Sequence, residues 1–483
     1  MTSTSAPTSG DPTSSAPTVG PDVPAAAQAL RERVRGLLPA ARADLEALVR
    51  IPSVSASSTP EARAAVARSA EVVAGLLRDA GMPEVEVLTA RCPDGSPGAP
   101  AVLARRPAPA GAPTVLLYAH HDVQPAGRPE RWSSPPFEPT ERDGRLFGRG
   151  TADDTAGVLA HVTALRALLP TWGPADGVGV LVLVEGEEES GSPSLPDLLA
   201  THADRLAADV VVVADSDNWS VDVPSLTTSL RGLLELRVTV ATLDHPLHSG
   251  IYGGAVPDAT MALTVLLARL WDDAGDLAVE GLVRTEAEDL PRTEEELRRD
   301  AGVLPGVGLV GRGSLLSRTW TRPSATVVAT DATPLAEASN TLAASATALV
   351  SVRLAPGQDV DAAEEAVRAH LAETVPFGAH LSVTRTGSGR PFAGDAPGPA
   401  RDAADWALSL AWDGAAPAHQ GMGGSIPVVA ELLDVMPEAA VLVTGVEDPD
   451  TRAHGVDESL SLLVLERACV AHTLLLARLA GEV

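Results

Sequence analysis

Four separate segments of the sequence concentrate histidine and carboxylate side chains. They are YAHHDV at residues 118–123, GTADDTAG at 150–157, LVLVEGEEESGS at 181–192 and VVVADSDNW at 211–219. Adjacent carboxylates repel one another, and either water or a bound cation relieves the repulsion. Imidazole and carboxylate groups without thiolate are typical ligands of hydrolytic zinc, manganese or cobalt sites. The four segments therefore predict a hydrolytic metal centre if the fold brings them together.

Each segment alone also has an ordinary structural explanation. A His-x-Asp triplet belongs more often to a surface loop than to a metal site, and runs of glutamate are usually solvated. Asp154 precedes a predicted helix and could cap it, while Asp215 and Asp217 could form an Asx turn. Three of the segments directly follow apolar strands, however, and the fourth is a Gly-rich stretch before a helix. This shared placement favours one joint site.

The elements that must position these side chains alternate between strands and helices. Apolar runs bounded by turn-forming residues predict buried strands at 114–118, 178–184 and 209–213, and periodicity predicts a helix at 155–169. Such alternation is typical of an α/β fold with a mostly parallel sheet. Functional groups in open α/β sheets gather beyond the carboxyl ends of the strands. The acids and histidines are therefore expected at one edge of the sheet.

The sequence pattern divides the chain into four parts. Residues 1–24 are mostly Ser, Thr, Pro, Ala and Gly and predict a disordered tail, since they cannot bury enough apolar surface to offset the cost of ordering. Residues 25–229 and 398–483 are expected to form one catalytic domain in two parts. Residues 230–397 have a different sequence pattern, in which predicted strands alternate with amphipathic helices. This pattern predicts an inserted α+β domain.

Predicted elements support this division. The catalytic parts contain predicted helices at 25–50, 60–80, 400–412, 427–434 and 458–479 and a strand at 439–444. The inserted part contains predicted strands at 233–240, 347–354 and 380–384, helices at 256–270 and 360–371, and an acidic helix and loop at 280–300. Gly81 is expected to end the second helix.

Composition excludes several classes of protein. The formal net charge is -28, and phosphate binding needs clustered basic side chains, so no nucleic-acid partner is expected. No apolar stretch reaches the roughly 18 residues that a membrane span needs. Cys92 and Cys469 have neither metal-site spacing nor the density of a disulfide scaffold, which fits a reducing, cytoplasmic location.

An ordered set of motifs resembles a known family. The motifs are YAHHDVQP, GRGTADD, EGEEESGS, SDNW, LHSGIYGG, GGSIP and AHGVDE. The set is similar to the dinuclear metallopeptidases that include carnosinase, cytosolic non-specific dipeptidase and the glutamate carboxypeptidases, and it is nearest to their dipeptidase branch. The resemblance implies a phosphorylase/hydrolase-like α/β catalytic domain with a mostly parallel sheet. It also implies an inserted ferredoxin-like lid domain that forms a homodimer.

The resemblance implies a ligand set for two divalent metal ions per subunit, with zinc favoured and manganese or cobalt as alternatives. His120 and Asp217 would hold one ion, Glu189 and His454 the other, and Asp153 would bridge both. Such a bridge lets two ions activate one water molecule. Spacing alone does not separate His120 from its neighbour His121, and the resemblance favours His120 because the family histidine lies two residues before the aspartate.

Three further residues receive catalytic roles from the resemblance. Glu188 would be the general base that takes the proton of the attacking water and passes it to the leaving amine. Asp122 would fix the tautomer of His120. His248 matches a family histidine that reaches the active site of a partner subunit and stabilises the oxyanion. His245 has no motif and is expected on the surface.

Substrate contacts also follow from the resemblance. They are Asn340, Arg353, Gly423, Gly424 and Ser425. A guanidinium suits bidentate binding of a substrate carboxylate, and glycines let backbone N–H groups approach it. The alternative for Arg353 is a solvent-facing strand residue.

The chain departs from the family pattern in two places. Thr155 stands where relatives commonly have lysine, which should leave metal binding intact. Gly421 and Met422 stand where dipeptidases often have arginine and glutamate, and this change removes a cation near the substrate.

The expected activity is metal-dependent hydrolysis of dipeptides or short peptides at the C-terminal peptide bond. The same centre could instead serve an N-acyl-amino-acid deacylase. A metal-stabilised binding protein without catalysis is a third possibility, which the presence of Glu188 disfavours because a binder needs no base.

Overall fold

The computed structural model describes residues 24–287, 290–331, 333, 335–394, 397–424 and 426–483. The predicted tail, apart from Pro24, lies outside these ranges. Among the described residues, no helix has both the length and the apolar character that a membrane crossing requires.

The strands are numbered in chain order. They are β1 (Glu84–Leu88), β2 (Ala101–Arg106), β3 (Thr114–His120), β4 (Thr140–Arg142), β5 (Arg145–Phe147), β6 (Gly179–Glu185), β7 (Val210–Val213), β8 (Ser225–Leu230), β9 (Gly232–Ala241), β10 (Leu247–His248), β11 (Ser324–Asp331), β12 (Thr341–Leu342), β13 (Ser345–Leu354), β14 (His380–Gly389), β15 (Phe392–Ala393), β16 (Ala418–Met422), β17 (Ala440–Val443) and β18 (Ser459–Ser461).

The α-helices are numbered in the same way. They are α1 (Ala25–Val49), α2 (Pro60–Asp79), α3 (Thr155–Leu168), α4 (Leu195–His202), α5 (Ser249–Tyr252), α6 (Ala259–Ala268), α7 (Glu294–Asp300), α8 (Val360–Thr374), α9 (Pro399–Ala411), α10 (Pro427–Val435) and α11 (Leu462–Leu479).

The main sheet has a parallel centre and antiparallel edges. Its order is β1-β2-β6-β3-β7-β17-β8-β15, and β16 also pairs with β8. The pairs β6/β3, β3/β7 and β7/β17 are parallel. The parallel sheet predicted from the alternation of strands and helices is therefore present at the centre. Strands from before and after residues 232–389 contribute to it.

Helices cover both faces of the main sheet at its centre, so the central strands β3, β6 and β7 are mostly apolar. Alternate residues of β3 enter different cores. Val115 and Leu117 pack with α1, α3, α9 and α11, while Leu116 and Tyr118 pack with α4 and α10. All seven residues of β6 are buried. Burial on both faces explains why these strands appear in the sequence as continuous apolar runs.

Residues 232–389 contain a second sheet with its own core. Its order is β11-β13-β9-β14, and all three pairings are antiparallel. With α6 and α8 the order along the chain is β9-α6-β11-β13-α8-β14. One face packs on the two helices, and alternate residues of β9 and β13 are buried accordingly. The predicted α+β texture is present, with the additional strand β11.

Several short elements were not predicted. β2 and β8 lack a clear apolar period because they mix polar and apolar side chains, and β1 is a short alternating segment of five residues. The predicted helix at 458–479 begins later, since β18 precedes it and Ser461 caps α11 by accepting the N–H of Val464. Gly81 follows α2 with a φ of 98°, a conformation that suits glycine at a helix end.

Candidate metal centre

Adjacent parallel strands deliver the first site residues to one edge of the main sheet. β3 lies between β6 and β7, and its last residue, His120, pairs with Glu185 at the end of β6. β7 ends at Val213, and the DSD segment, Asp215 to Asp217, begins after Ala214. Because the three strands are parallel, their carboxyl ends meet at the same edge.

Two groups of potential metal ligands occupy this edge. The first contains His120, Asp153 and Asp215, and the second contains Asp153, Glu189 and His454. Within each group the ligand atoms lie within 4.8 Å of one another. Asp153 belongs to both groups, so its carboxylate connects them.

Distances show how Asp153 divides its two oxygens. Oδ1 lies 3.1 Å from His120 Nε2, which is 3.9 Å from Asp215 Oδ1. Oδ2 lies 3.0 Å from His454 Nε2, which is 3.2 Å from Glu189 Oε2. A carboxylate that offers one oxygen to each group has the arrangement of a bridging ligand between two cations.

The electrostatics of both groups favour a cation. Although burial alone would lower the pKa of His120, hydrogen bonds to Asp122 and Asp153 raise it well above its ordinary value. Hydrogen bonds to Asp153 and Glu189 raise the pKa of His454 to about 11. Carboxylates that hold protons this firmly on imidazole would also attract a divalent ion. Nitrogen and oxygen donors without thiolate fit zinc, manganese or cobalt.

Asp122 connects the end of β3 with the glutamate segment. His120 Nδ1 lies 3.0 Å from the Asp122 carbonyl oxygen and 3.3 Å from Oδ1. The backbone N–H groups of Glu188 and Glu189 donate to the two carboxylate oxygens of Asp122, each at 3.1 Å. Asp122 therefore orients the His120 ring and also positions two consecutive glutamates.

Glu188 lies beside Glu189 but outside both ligand groups. Among the described residues none donates a hydrogen bond to its carboxylate, and the side chain is half-buried. Burial raises its pKa well above the ordinary glutamate value, while His120 opposes the shift. A raised pKa makes the Glu188 carboxylate a stronger proton acceptor, as a general base requires.

Glu458 organises the loop that carries Asp153. It is fully buried and forms a 2.6 Å ion pair with Arg149. Its carboxylate also accepts the backbone N–H groups of Gly150 at 3.1 Å, Ala152 at 3.2 Å and Asp153 at 3.4 Å. Sequence reasoning gave Glu458 no role, although it is the last residue of the AHGVDE motif.

The loop before Glu458 presents His454. The φ angles of Arg452, His454 and Asp457 are 59°, 61° and 59°, a left-handed conformation that costs energy outside glycine. Asp457 anchors the loop by accepting the N–H and Oγ–H of Ser133, both at 2.8 Å. The surrounding contacts therefore hold His454 toward Asp153.

Comparison with known proteins identifies the family. The model of peptidase family M20/M25/M40 matches residues 116–480. This chain belongs to the M20/M25/M40 peptidase family. The match covers all the ligands described above.

Individual relatives support this membership. The cysteinylglycine-S-conjugate dipeptidase of Corynebacterium striatum is 37% identical over 364 residues, which cover 74% of this chain and 80% of the relative. The human beta-Ala-His dipeptidase is 31% identical over 352 residues, which cover 68% of each chain. The structure of human carnosine dipeptidase 1 aligns with a TM-score of 0.80 at 25% identity, and covers 95% of this chain and 99% of the other.

The structure separates His120 from His121 within this M20 chain. His121 Nε2 lies 2.9 Å from the Pro100 carbonyl oxygen, away from both ligand groups. Asp154 flanks α3, as predicted, but its side chain makes no capping bond and instead accepts the His120 N–H at 3.1 Å. The peptide bond between Asp153 and Asp154 is cis.

The assignment of Asp217 as a ligand is corrected by the geometry. Asp215, not Asp217, joins His120 and Asp153. Asp217 Oδ1 accepts a hydrogen bond of 2.8 Å from Gln420 Nε2, and burial raises the pKa of Asp217 to about 6. Burial raises the pKa of Asp215 to about 7. The sequence prediction chose Asp217 because the SDNW motif, residues 216–219, contains Asp217 and not Asp215.

The inserted residues that were expected to act on substrate make local contacts here. His248 is exposed and accepts the Gly250 N–H through Nδ1 at 3.1 Å. Asn340 is exposed, and its carbonyl oxygen accepts the Ser249 N–H at 2.9 Å. Arg353 is half-buried on β13, and burial lowers its pKa. Their roles in this M20 protein stay predictions.

The predicted glycine contacts lie next to the half-buried Arg231. The Gly423 carbonyl oxygen accepts from Arg231 Nε at 3.0 Å, and a Cβ on Gly423 would lie 2.9 Å from Arg231 Nη2. The same Cβ would lie 2.8 Å from the Thr319 backbone oxygen, so a side chain at 423 would clash with the backbone as well as with Arg231. Gly424 has more room, with Met422 Sδ at 3.6 Å from such a Cβ. Ser425 lies outside the described residues.

Proposed function

We propose that this chain is a dipeptidase that uses two divalent metal ions and releases the C-terminal amino acid. The observation that carries the proposal is the Asp153 carboxylate, which offers one oxygen to each ligand group. We assign one ion to His120, Asp153 and Asp215, and the other to Asp153, Glu189 and His454. Zinc is the favoured metal, with manganese or cobalt as alternatives. The dipeptidase relatives support dipeptides as substrates.

Bound ions would supply a Lewis acid and acidify the attacking water. The protein supplies the proton transfers. The Glu188 carboxylate accepts a proton from the water as the oxygen bonds to the scissile carbonyl carbon. When the C–N bond breaks, Glu188 returns that proton to the amine nitrogen. Asp122 keeps Glu188 in place through the backbone N–H bond.

We further propose that residues 230–397 form a lid and a homodimer contact, and that residues 25–229 and 398–483 form the catalytic domain. His248 is exposed, and so are its apolar neighbours Ile251 and Tyr252, at 71% and 45%. An exposed apolar pair beside a histidine suits contact with a second subunit. Light scattering should report a dimer. A monomer with full activity would exclude a role for His248 across subunits.

The test compares three substrates with the protein loaded with zinc or manganese: alanyl-alanine, acetyl-alanyl-alanine and acetyl-alanine. Hydrolysis of alanyl-alanine to two alanines, at a rate above that of both acetylated compounds, is expected. Faster cleavage of acetyl-alanine would favour the N-acyl-amino-acid deacylase. Full metal content with no turnover over a broad amide panel would favour a binding protein.

A further inference from the structure

A buried ion pair joins two of the loops that supply proposed metal ligands. Arg149 Nη1 lies 2.6 Å from Glu458 Oε2, and the exposed fractions of the two side chains are 2% and 0%. Arg149 belongs to the loop before α3, which carries Asp153. Glu458 ends the loop before β18, which carries His454. The pair therefore spans two parts of the chain that must meet at the centre.

The Glu458 carboxylate holds the first of these loops. Its Oε1 accepts the N–H groups of Ala152 and Asp153, and its Oε2 accepts that of Gly150. Glu458 is itself fixed by strand pairing, because its carbonyl oxygen accepts the Gly148 N–H at 3.0 Å directly before β18 pairs with β5. The loop that carries Asp153 is therefore tied to two paired strands.

Arg149 reaches the second loop. Its Nη2 donates to the carbonyl oxygen of Gly455, the residue after His454, at 3.0 Å. A Cβ on Gly455 would lie 2.9 Å from the Arg452 backbone oxygen, so the turn has no room for a side chain. The Trp132 ring lies against the guanidinium, with 5.4 Å between Cζ and the ring centroid. One buried guanidinium therefore connects both loops.

Stability alone does not account for an ion pair at this position. Moving two charges out of water costs free energy that their attraction often fails to offset, and apolar residues of similar size can replace such pairs without loss of stability. A guanidinium does provide geometry, since its N–H groups form a rigid planar fork. The fork fixes the Asp153 loop relative to the His454 loop without the help of a cation.

We propose that Arg149 and Glu458 are positioning residues that hold these two loops together, so that the second ligand group is formed before an ion binds. The inference rests on the proposed function, whose two ions it assumes, and adds a requirement beyond the ligands themselves. Arg149 acts on the second group through the His454 loop. Glu458 acts on both groups, because Asp153 belongs to both.

Zinc titrations of Arg149→Lys test the role of the fork. Metal-free protein is dialysed against zinc at free concentrations set by a chelator, and the ions bound per chain are counted by mass spectrometry. Lysine keeps the charge beside Glu458, but one ammonium group cannot replace both contacts of the fork. One ion should need about 10- to 100-fold more free zinc, and the other less than about three-fold more. Equal weakening of both ions would indicate a general structural effect and overturn the proposal.

A His454→Ala background identifies the affected ion. This variant lacks a ligand of the second group, so the ion that it still binds tightly belongs to the first group. Adding Arg149→Lys should shift the binding of that ion by less than about three-fold. A larger shift would overturn the proposal, because Arg149 would then act on the group whose ligand loop it does not hold.

Glu458→Gln should give a different pattern. A glutamine amide has only one oxygen, so it cannot accept from Arg149 and Gly150 on one side and from Ala152 and Asp153 on the other. Both ions should need at least about ten-fold more free zinc, since Asp153 is shared. Unchanged affinity for both ions would overturn the role of Glu458.

Arg166→Lys is the matched control. Arg166 lies in the last turn of α3 and forms a 2.6 Å ion pair with Asp44 of α1. The same substitution there should leave the binding of both ions unchanged.

Metal counts and turnover together separate this inference from the proposed function. Equal zinc affinities in Arg149→Lys and wild type, with wild-type cleavage of alanyl-alanine, would reject the positioning pair and retain the dipeptidase. Selective weakening of one ion in Arg149→Lys, with no turnover by the wild type, would retain the pair and reject the function. A wild-type chain that binds no zinc would overturn both.

Discussion

Glu188 and Glu189 are neighbours in the chain, yet the fold gives them different surroundings. Glu189 Oε2 faces His454, and its other oxygen accepts the Gln124 N–H at 3.1 Å. The Glu188 carboxylate has no hydrogen-bond donor among the described residues. The difference follows from the short turn after β6, in which both backbone N–H groups are held by Asp122. Glu189 can therefore serve as a metal ligand while Glu188 stays available for proton transfer.

Glu188→Gln tests this division of roles. The variant should retain both metal ions but lose about 10²- to 10⁴-fold in kcat, which is the usual contribution of a general acid or base. Metal analysis and steady-state kinetics on alanyl-alanine measure the two properties. Glu61→Gln, which removes the same charge from an exposed position on α2, serves as the control. Near-normal turnover in Glu188→Gln would exclude it as the base.

Asp215 and Asp217 give a second prediction at the residue scale. Asp215→Asn should weaken metal binding by more than the roughly 10- to 100-fold typical for loss of an outer partner, because it removes a direct ligand. Asp217→Asn should retain its metal content. Both variants are dialysed against limiting zinc, and the bound ions per chain are counted. The reverse pattern would restore the assignment made from the sequence.

At the scale of elements, α3 and α11 pack through two buried histidines. The rings of His161 and His472 lie 4.9 Å apart. Neither ring nitrogen of His472 has a hydrogen-bond partner among the described residues. Burial lowers the pKa of His472 well below 6.5, and His161 adds to the shift. Burial also lowers the pKa of His161 to about 4. Both rings are therefore neutral in the folded protein at neutral pH.

This packing predicts a stability that depends on pH. An unfolded histidine takes up a proton near pH 6.5, whereas the folded rings resist protonation. The stability is therefore complete above about pH 6.5 and is lost as pH falls below it, by about 1.4 kcal/mol per pH unit for each histidine. In His472→Leu the slope of the free energy of unfolding against pH should be smaller by about 1.4 kcal/mol per pH unit, which corresponds to one proton fewer taken up on unfolding. Urea unfolding of metal-loaded protein between pH 7.5 and 5 measures it.

Replacing an exposed histidine tests whether the pH dependence of stability comes from the buried rings or from the loss of any histidine. His380 is exposed at the start of β14. His380→Gln should give the same pH slope as the wild type. His472→Leu should also be more stable than wild type at pH 5, since it removes unpaired buried nitrogens. Parallel stability curves for His472→Leu and wild type would show that the buried His472 does not contribute to the pH dependence.

At the scale of the whole molecule, the centre joins distant parts of the chain. Its proposed ligands come from the end of β3, the loop before α3, the turn after β6, the segment after β7 and the loop before β18. Without a cation these converging carboxylates repel one another, and the half-buried Glu447 adds to them. Burial raises the pKa of Glu447 well above its ordinary value, and Asp153 contributes further.

Metal removal should therefore destabilise the entire fold. A ligand that binds only the folded state, at a free concentration 100-fold above Kd, contributes about 2.7 kcal/mol for one site. Dialysis against a chelator should lower the thermal midpoint, and added zinc or manganese should restore it. Calcium, which prefers a larger oxygen-only shell, is the control ion. An unchanged midpoint in chelator would contradict a structural contribution from the ions.

The sequence by itself determined the edge at which the chemistry occurs. Apolar runs that stop at His120 and at Glu185 define parallel strands, and such strands place whatever follows them at a common edge. Much of the secondary structure was predictable for the same reason. Short strands with mixed side chains, such as β8, were not, because their stability comes from neighbouring strands rather than from a local pattern.

Only the tertiary structure decided which acid meets which histidine. Asp215 and Asp217 are two residues apart, and a period of two places both on one face of an extended chain. Local pattern therefore cannot choose between them. The choice came from distant partners, since Gln420 holds the Asp217 carboxylate while Asp215 Oδ1 faces His120. The role of Glu458 could not be predicted for the same reason, because the N–H groups that it accepts lie about 300 residues earlier in the chain.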